Sequence, residues 1–292
     1  MSSTRREFLA WSGAAALAAP TLGRWQPSPA PFAPPLGVCG GSAQAAQWLA
    51  SGAEYLEIGC RGELAPDKPL EEMSKALDAL RDSSLPVRAA NSFLPGSLVS
   101  VGPKADHAAI LSYARQAFAR AARVGIRMIT FGSAGARMLP EGWAREDAEL
   151  QFTALLARLG DLADQHGVDV CVENLQAAEC NFLNRLGEAR RLIAAVSHPR
   201  IGLTADVFHM LRMEEGPEAI REAGALVRHV HLAEKRERTP PGVDGDDFTP
   251  YLQALKDAGF RGRISLECGW DKPAEQLPKA IGALRGMLAR LS

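Results

Sequence analysis

Eight short apolar runs recur along the chain, at residues 36–39, 55–60, 87–92, 128–132, 168–175, 201–207, 227–233 and 264–268. Each is rich in Val, Ile, Leu and Cys, short enough for a strand, and too continuous for a strand with one wet face. That pattern belongs to parallel strands covered on their outer side. Between the runs lie longer stretches such as 105–124 and 145–166, where apolar residues recur at three- and four-residue spacing against charged ones, as on helices with one buried face. Gly125 and Gly167 stand where left-handed caps would end those two helices, and Gly224 and Gly262 precede later strands. Strand–helix alternation repeated eight times predicts the α/β class and a single closed (β/α)8 barrel. No shift in pattern marks a second domain.

The 292 residues exceed the roughly 250 that such a barrel needs. A net charge of −1 and no clustered Lys or Arg make nucleic acid an unexpected partner. The first 35 residues break the pattern. Thr4-Arg5-Arg6-Glu7-Phe8-Leu9 leads into an apolar stretch at 9–19 closed by small residues, which resembles a twin-arginine export signal and is too short to span a bilayer of about 30 Å. Pro20, Pro27, Pro29, Pro31, Pro34 and Pro35 then read as an extended tether. The expected division is a signal and tether over 1–35 and a catalytic barrel over 36–292. The mature protein is expected in the periplasm or outside the cell, with no membrane association beyond export. Cys39, Cys60, Cys171, Cys180 and Cys268 form no C-x-x-C pair, and most of them, lying inside apolar runs, are expected as buried small hydrophobes rather than disulfides or nucleophiles.

Polar residues at the ends of apolar runs carry the chemical signal. Glu173, Asp206, His231 and Glu267 lie toward the C-terminal ends of the last four runs, the end at which a barrel builds its active site. Three carboxylates brought together would oppose one another's ionisation, and a divalent cation relieves that cost. Oxygen ligands with one nitrogen favour Mn²⁺, with Mg²⁺ or Co²⁺ as alternatives, over a tetrahedral structural zinc. His209 follows Asp206 by three residues and is placed to bond a substrate hydroxyl. His229 shares the inward face with His231 and is expected as packing.

The segments 173–181, Asp206-Val207-Phe208-His209, His229-Val230-His231-Leu232, Arg238-Thr239-Pro240-Pro241-Gly242 and Ser265-Leu266-Glu267 resemble the xylose isomerase-like TIM-barrel superfamily. Within it they are most similar to the sugar epimerases and isomerases around D-tagatose 3-epimerase and hydroxypyruvate isomerase. The similarity runs from about Leu36 to Leu291 and is specific for the superfamily but weak for the substrate. The resemblance implies metal ligation by Glu173, Asp206, His231 and Glu267, an acid–base pair of Glu173 and Glu267, and Glu179, His209 and Arg238 around the substrate oxygens. Arg238 needs one residue more than the epimerase pattern after the His-x-x-Glu segment, so Arg236 is the alternative. Glu57, Asn91 and the 132–137 turn also fall at expected loop positions, with roles left open.

The expected activity is metal-dependent epimerisation or isomerisation of a ketose or related keto-sugar or polyol through an enediolate. A lyase or hydrolase acting on a sugar derivative and a non-catalytic periplasmic sugar-binding protein are the alternatives. No G-x-x-x-x-G-K-[ST] motif occurs, so no phosphate cradle is expected. A homo-oligomer stays open.

Overall fold

The eight apolar runs become β1 (Leu36–Cys39), β2 (Tyr55–Gly59), β3 (Val87–Asn91), β4 (Met128–Phe131), β5 (Asp169–Glu173), β6 (Ile201–Asp206), β7 (Val227–Leu232) and β8 (Arg263–Leu266) in a computed structural model that describes residues 31–291. Each strand pairs in parallel with the next, and β1 pairs with β8, so the sheet closes into a (β/α)8 barrel. The proposed export signal and most of the proline-rich tether lie outside the described residues. The tether's last residues belong to the barrel: Phe32 packs against the core, and the Pro35 carbonyl accepts the Ile264 N–H at 3.1 Å. Among the described residues, no helix is long and apolar enough to cross a membrane.

Alternation along the strands sorts side chains into two environments. Val38, Leu56, Ile58, Ile129, Val170, Leu203, Val230, Ile264 and Leu266 belong to the apolar layer shared with the surrounding helices. Phe93, Phe131, Phe152 and Phe182 run through this layer as a chain of ring contacts with centroids 5.4–5.6 Å apart. Many of the alternate positions inside the barrel are polar. Tyr55 Oη lies 2.7 Å from Ser265 Oγ, and Thr130 Oγ1 lies 3.0 Å from Thr204 Oγ1. All five cysteines are free thiols; Cys60, Cys171 and Cys180 are buried, as expected of small hydrophobes, whereas Cys39 and Cys268 are half-buried.

Helix ends follow local chemistry. The helix His107–Val124 starts two residues later than its apolar pattern because Asp106 caps it, accepting the Ala109 N–H at 2.9 Å. It stops at Gly125, whose φ of 95° suits a residue without a Cβ. Several strands end one or two residues before their apolar runs do, because the chain turns to build the mouth of the barrel. Asn174, one residue past β5, extends the ladder through its side chain, which accepts the Asp206 N–H at 3.0 Å and donates to the Asp206 carbonyl at 3.1 Å.

Candidate metal centre and active site

Barrel closure brings Glu173 and Asp206, the last residues of β5 and β6, beside His231, next to last in β7, and Glu267, just past β8. Register fixes this, since Asp206 is the neighbour of His231 and His231 the neighbour of Ser265. One ligand atom from each of the four lies within 4.8 Å of the others. Glu173, Asp206 and His231 are buried, and the Glu267 side chain keeps 28% of its surface.

His231 is the pivot of the cluster. Its Nε2–H donates to Glu57 Oε1 at 3.0 Å, which turns Nδ1 toward the cluster, 2.7 Å from Glu173 Oε1, 3.7 Å from Glu267 Oε2 and 3.8 Å from Asp206 Oδ2. Burial alone would lower the imidazole's pKa, but the carboxylates of Glu57, Glu267 and Glu173 hold it well above the usual histidine range. Asp206 is pushed the other way from an ordinary aspartate: burial first, then the charge of Glu173, raise its carboxyl well above the usual range. Burial also raises Glu267. In Glu173 the burial penalty is outweighed by His231, and its pKa falls.

A divalent cation fits this donor set. Asp206 Oδ2 is buried with no hydrogen-bond partner among the described residues, an expensive state for a carboxylate oxygen unless a cation takes it. Three carboxylates and an imidazole nitrogen make a mostly oxygen site of the kind that suits Mn²⁺ or Mg²⁺. Gly132 contributes by having no side chain, because a Cβ there would sit 2.0 Å from Glu173 Oε2.

Beside the cluster opens a pocket of about 430 Å³, lined among others by Asn91, Ser133, Glu173, Glu179, His209, Arg238 and Glu267. Arg238 spans it. Its Nη1 donates to Glu267 Oε2 at 2.6 Å, its Nη2 lies 3.4 Å from Glu179 Oε1, and its guanidinium carbon stacks 4.2 Å from the Phe208 ring centroid. Asn91 donates to the other Glu267 oxygen at 3.2 Å. His209 is neutral, since burial brings its pKa down to about 4. Its Nδ1 accepts the Gln176 N–H at 3.0 Å, so the proton sits on Nε2, which lies 3.0 Å from Arg238 Nη2. Two donors facing each other at that distance suit a shared oxygen acceptor such as a sugar hydroxyl or carbonyl.

The structure therefore gathers Glu173, Asp206, His231, Glu267, Glu179, His209 and Arg238 in one place. Arg236 lies outside it, 70% exposed and paired with Asp244. The reading of Glu57 and Asn91 as loop residues is corrected: Glu57 sits within β2, fully buried, and Asn91 is the last residue of β3. His229 is more than packing, because its Nε2 bonds Glu57 Oε2 at 2.7 Å, where the Ser265 hydroxyl also donates at 2.6 Å. The two histidines outweigh the burial penalty and hold the Glu57 carboxyl well below the usual range. A charged residue inside a buried strand was the available signal for Glu57. Arg137 was visible only as part of a turn. It is buried beyond β4, its guanidinium carbon is 5.9 Å from the Phe131 ring centroid, its nitrogens have no hydrogen-bond partner among the described residues, and its charge helps keep Glu173 ionised.

A family model described as xylose isomerase-like TIM barrel matches residues 45–287. The chain belongs to the xylose isomerase-like TIM-barrel family. Among curated proteins, it is 28% identical over 134 residues to an inosose isomerase of Bacillus licheniformis, covering 42% of this chain and 48% of that one. It is 29% identical over 127 residues to an L-ribulose 3-epimerase of Methylomonas sp., covering 43% and 44%. The matched stretches thus span about half the length of these relatives. Among solved structures, a D-psicose 3-epimerase from Clostridium cellulolyticum H10, crystallised with D-tagatose, superposes with a TM-score of 0.76 at 17% identity, over 87% of this chain and 99% of that one. At that identity the likeness speaks for the fold alone. The family's relatives include sugar epimerases and isomerases, in keeping with a pocket lined by carboxylates and hydrogen-bond donors.

Proposed function

We propose that this chain is a divalent-metal-dependent epimerase or isomerase of a ketose or a related keto-sugar or polyol. The convergence of Glu173, Asp206, His231 and Glu267 on one point at the wall of a polar pocket carries this reading. Those four residues would hold the cation, most suitably Mn²⁺, with Mg²⁺ or Co²⁺ as alternatives, and the cation supplies Lewis-acid stabilisation of negative charge developing on substrate oxygens.

The chain's own groups account for the remaining work. Glu173 and Glu267 both border the pocket, and each has a carboxylate oxygen able to take or return a proton at a carbon next to a carbonyl. Removal by one and return by the other, through an enediolate, inverts that carbon. Movement of the proton between adjacent carbons by one group gives an aldose–ketose isomerisation. Arg238 orients Glu267 through the 2.6 Å bond, and Arg238, His209 and Glu179 present donors and acceptors to sugar oxygens. The Phe208 ring holds the Arg238 guanidinium in place.

Incubation of the Mn²⁺-loaded protein with unphosphorylated ketoses, keto-glycosides and inososes in heavy water tests the reading. Deuterium entering recovered sugar at carbon supports it. New products without exchange into recovered substrate would assign the site to hydrolysis, and saturable binding without exchange would assign it to a binding protein.

We also propose export by the twin-arginine route, on the Arg5-Arg6 pair and the apolar stretch behind it. A double replacement of Arg5 and Arg6 by Lys should retain the protein in the cytoplasm of a host carrying that pathway; unaltered export would reject the route.

A further inference from the structure

Glu234 lies two residues past β7 and is fully buried, yet it borders neither the metal cluster nor the pocket. Among the described residues no cation comes within ion-pair distance of it. Backbone amides from its own loop surround its carboxylate instead. Oε1 accepts the N–H of Gly242 at 2.7 Å and of Gly245 at 3.0 Å, Oε2 accepts the N–H of Asp244, and the Thr239 hydroxyl lies 3.1 Å from Oε2. The Glu234 N–H closes the ring by donating to the Thr239 carbonyl at 2.8 Å.

The same loop delivers Arg238. Glu237 and Arg238 stand consecutively in the left-handed region, at φ of 53° and 55°, where side chains other than Gly, Asn and Asp rarely go unless the surroundings impose it. The Arg238 carbonyl accepts the Gly269 N–H at 2.8 Å, which ties this turn to the segment after Glu267. Such a backbone needs an internal template, and a buried carboxylate at the start of the loop that accepts from the amides at its far end supplies one.

We infer that Glu234 is a positioning residue: its carboxylate folds the 234–245 loop so that Arg238 is held across the pocket, and it thereby sets substrate affinity without touching substrate. This rests on the epimerase reading only for the role of Arg238. Replacing Glu234 by Gln keeps the volume but aims an amide NH2 at amide donors, leaving at least one of them unpaired.

The test compares Glu234→Gln with wild type by hydrogen exchange at Gly242, Asp244 and Gly245, and by kinetics of the Mn²⁺-loaded enzyme with D-fructose as probe. Loss of protection confined to the loop, with KM raised about tenfold and kcat within about threefold, supports the inference. A Glu234→Gln, Arg238→Ala double variant that is no worse than Arg238→Ala supports it further, because residues acting through one another are not additive. Lys235→Ala, in the same loop but outside the network, should leave both readouts unchanged. If Glu234→Gln does not fold, Thr239→Val removes a hydroxyl that lies within hydrogen-bond distance of the Glu234 carboxylate, the Asp244 carboxylate and the Arg236 carbonyl, and should move both readouts in the same direction by less. Wild-type protection and KM in Glu234→Gln would overturn the inference, as would a KM effect that simply adds to that of Arg238→Ala. A wild-type enzyme inert toward D-fructose and the other ketoses would count against the epimerase reading, while the exchange measurement still judges the loop.

Discussion

His231 Nε2 and Glu57 Oε1 lie 3.0 Å apart inside the barrel, and this contact decides which imidazole nitrogen faces the carboxylate cluster. A carboxylate behind a histidine fixes its tautomer and raises its basicity as a metal ligand. Glu57→Gln should therefore weaken Mn²⁺ binding about 10–100-fold by titration calorimetry. Unchanged affinity would mean that His231 does not depend on Glu57 for its orientation.

Glu267→Gln tests the acid–base assignment. Its carboxylate borders the pocket and is held by Asn91 and Arg238, so an amide of the same shape should leave the melting temperature near wild type. Turnover should fall about 10²–10⁴-fold in the deuterium-exchange assay. Near-normal exchange would remove Glu267 from the proton-transferring pair.

Arg238→Ala should raise KM about tenfold or more, whereas Arg236→Ala, at an exposed position outside the pocket, should match wild type. Equal effects from the two would return the choice between these arginines to an open question.

Gly132→Ala places a methyl group where Glu173 Oε2 now sits. Displacing that carboxylate by about 1 Å should cost on the order of 10² in kcat/KM while the circular dichroism spectrum stays unchanged. Retained activity would show that Glu173 has another productive position.

A cation held by these four residues would compete with protons for them. Burial and the neighbouring Glu173 raise Asp206, and the surrounding carboxylates raise His231 against the effect of burial, so both groups take up protons at higher pH than their free counterparts. Stabilisation by metal is complete above those raised pKa values and is lost as pH falls through them. At 100 times the dissociation constant that holds above those pKa values, Mn²⁺ should add about 2.7 kcal/mol to unfolding stability, and the same concentration should add less as pH is lowered, read as the difference in Tm with and without EDTA. An increment independent of pH would contradict ligation by these groups.

The sequence carried the barrel because strands buried on both sides must be apolar throughout, and eight such runs separated by helix-length segments leave few alternatives. Glu173, Asp206, His231 and Glu267 stood out as the polar ends of those runs. Glu57 was harder to place: a lone acid within Tyr55-Leu56-Glu57-Ile58 is conspicuous, but its partners His229, His231 and Ser265 come from strands more than 170 residues away. Glu234 was visible only as the acid that closes the His-x-x-Glu segment, with nothing to say what it holds. Its burial depends on the path of a loop whose residues are ordinary turn formers, and local pattern says nothing about which carboxylate such a loop will wrap.

The polar stack of Tyr55, Ser265, Glu57 and the two histidines has a consequence for how this barrel tolerates change. Cohesion comes from the apolar shell outside the staves, and the lumen is free to serve as wiring beneath the mouth. Alterations in that wiring should retune ligand geometry while the cylinder stands, so chemistry and architecture can drift separately.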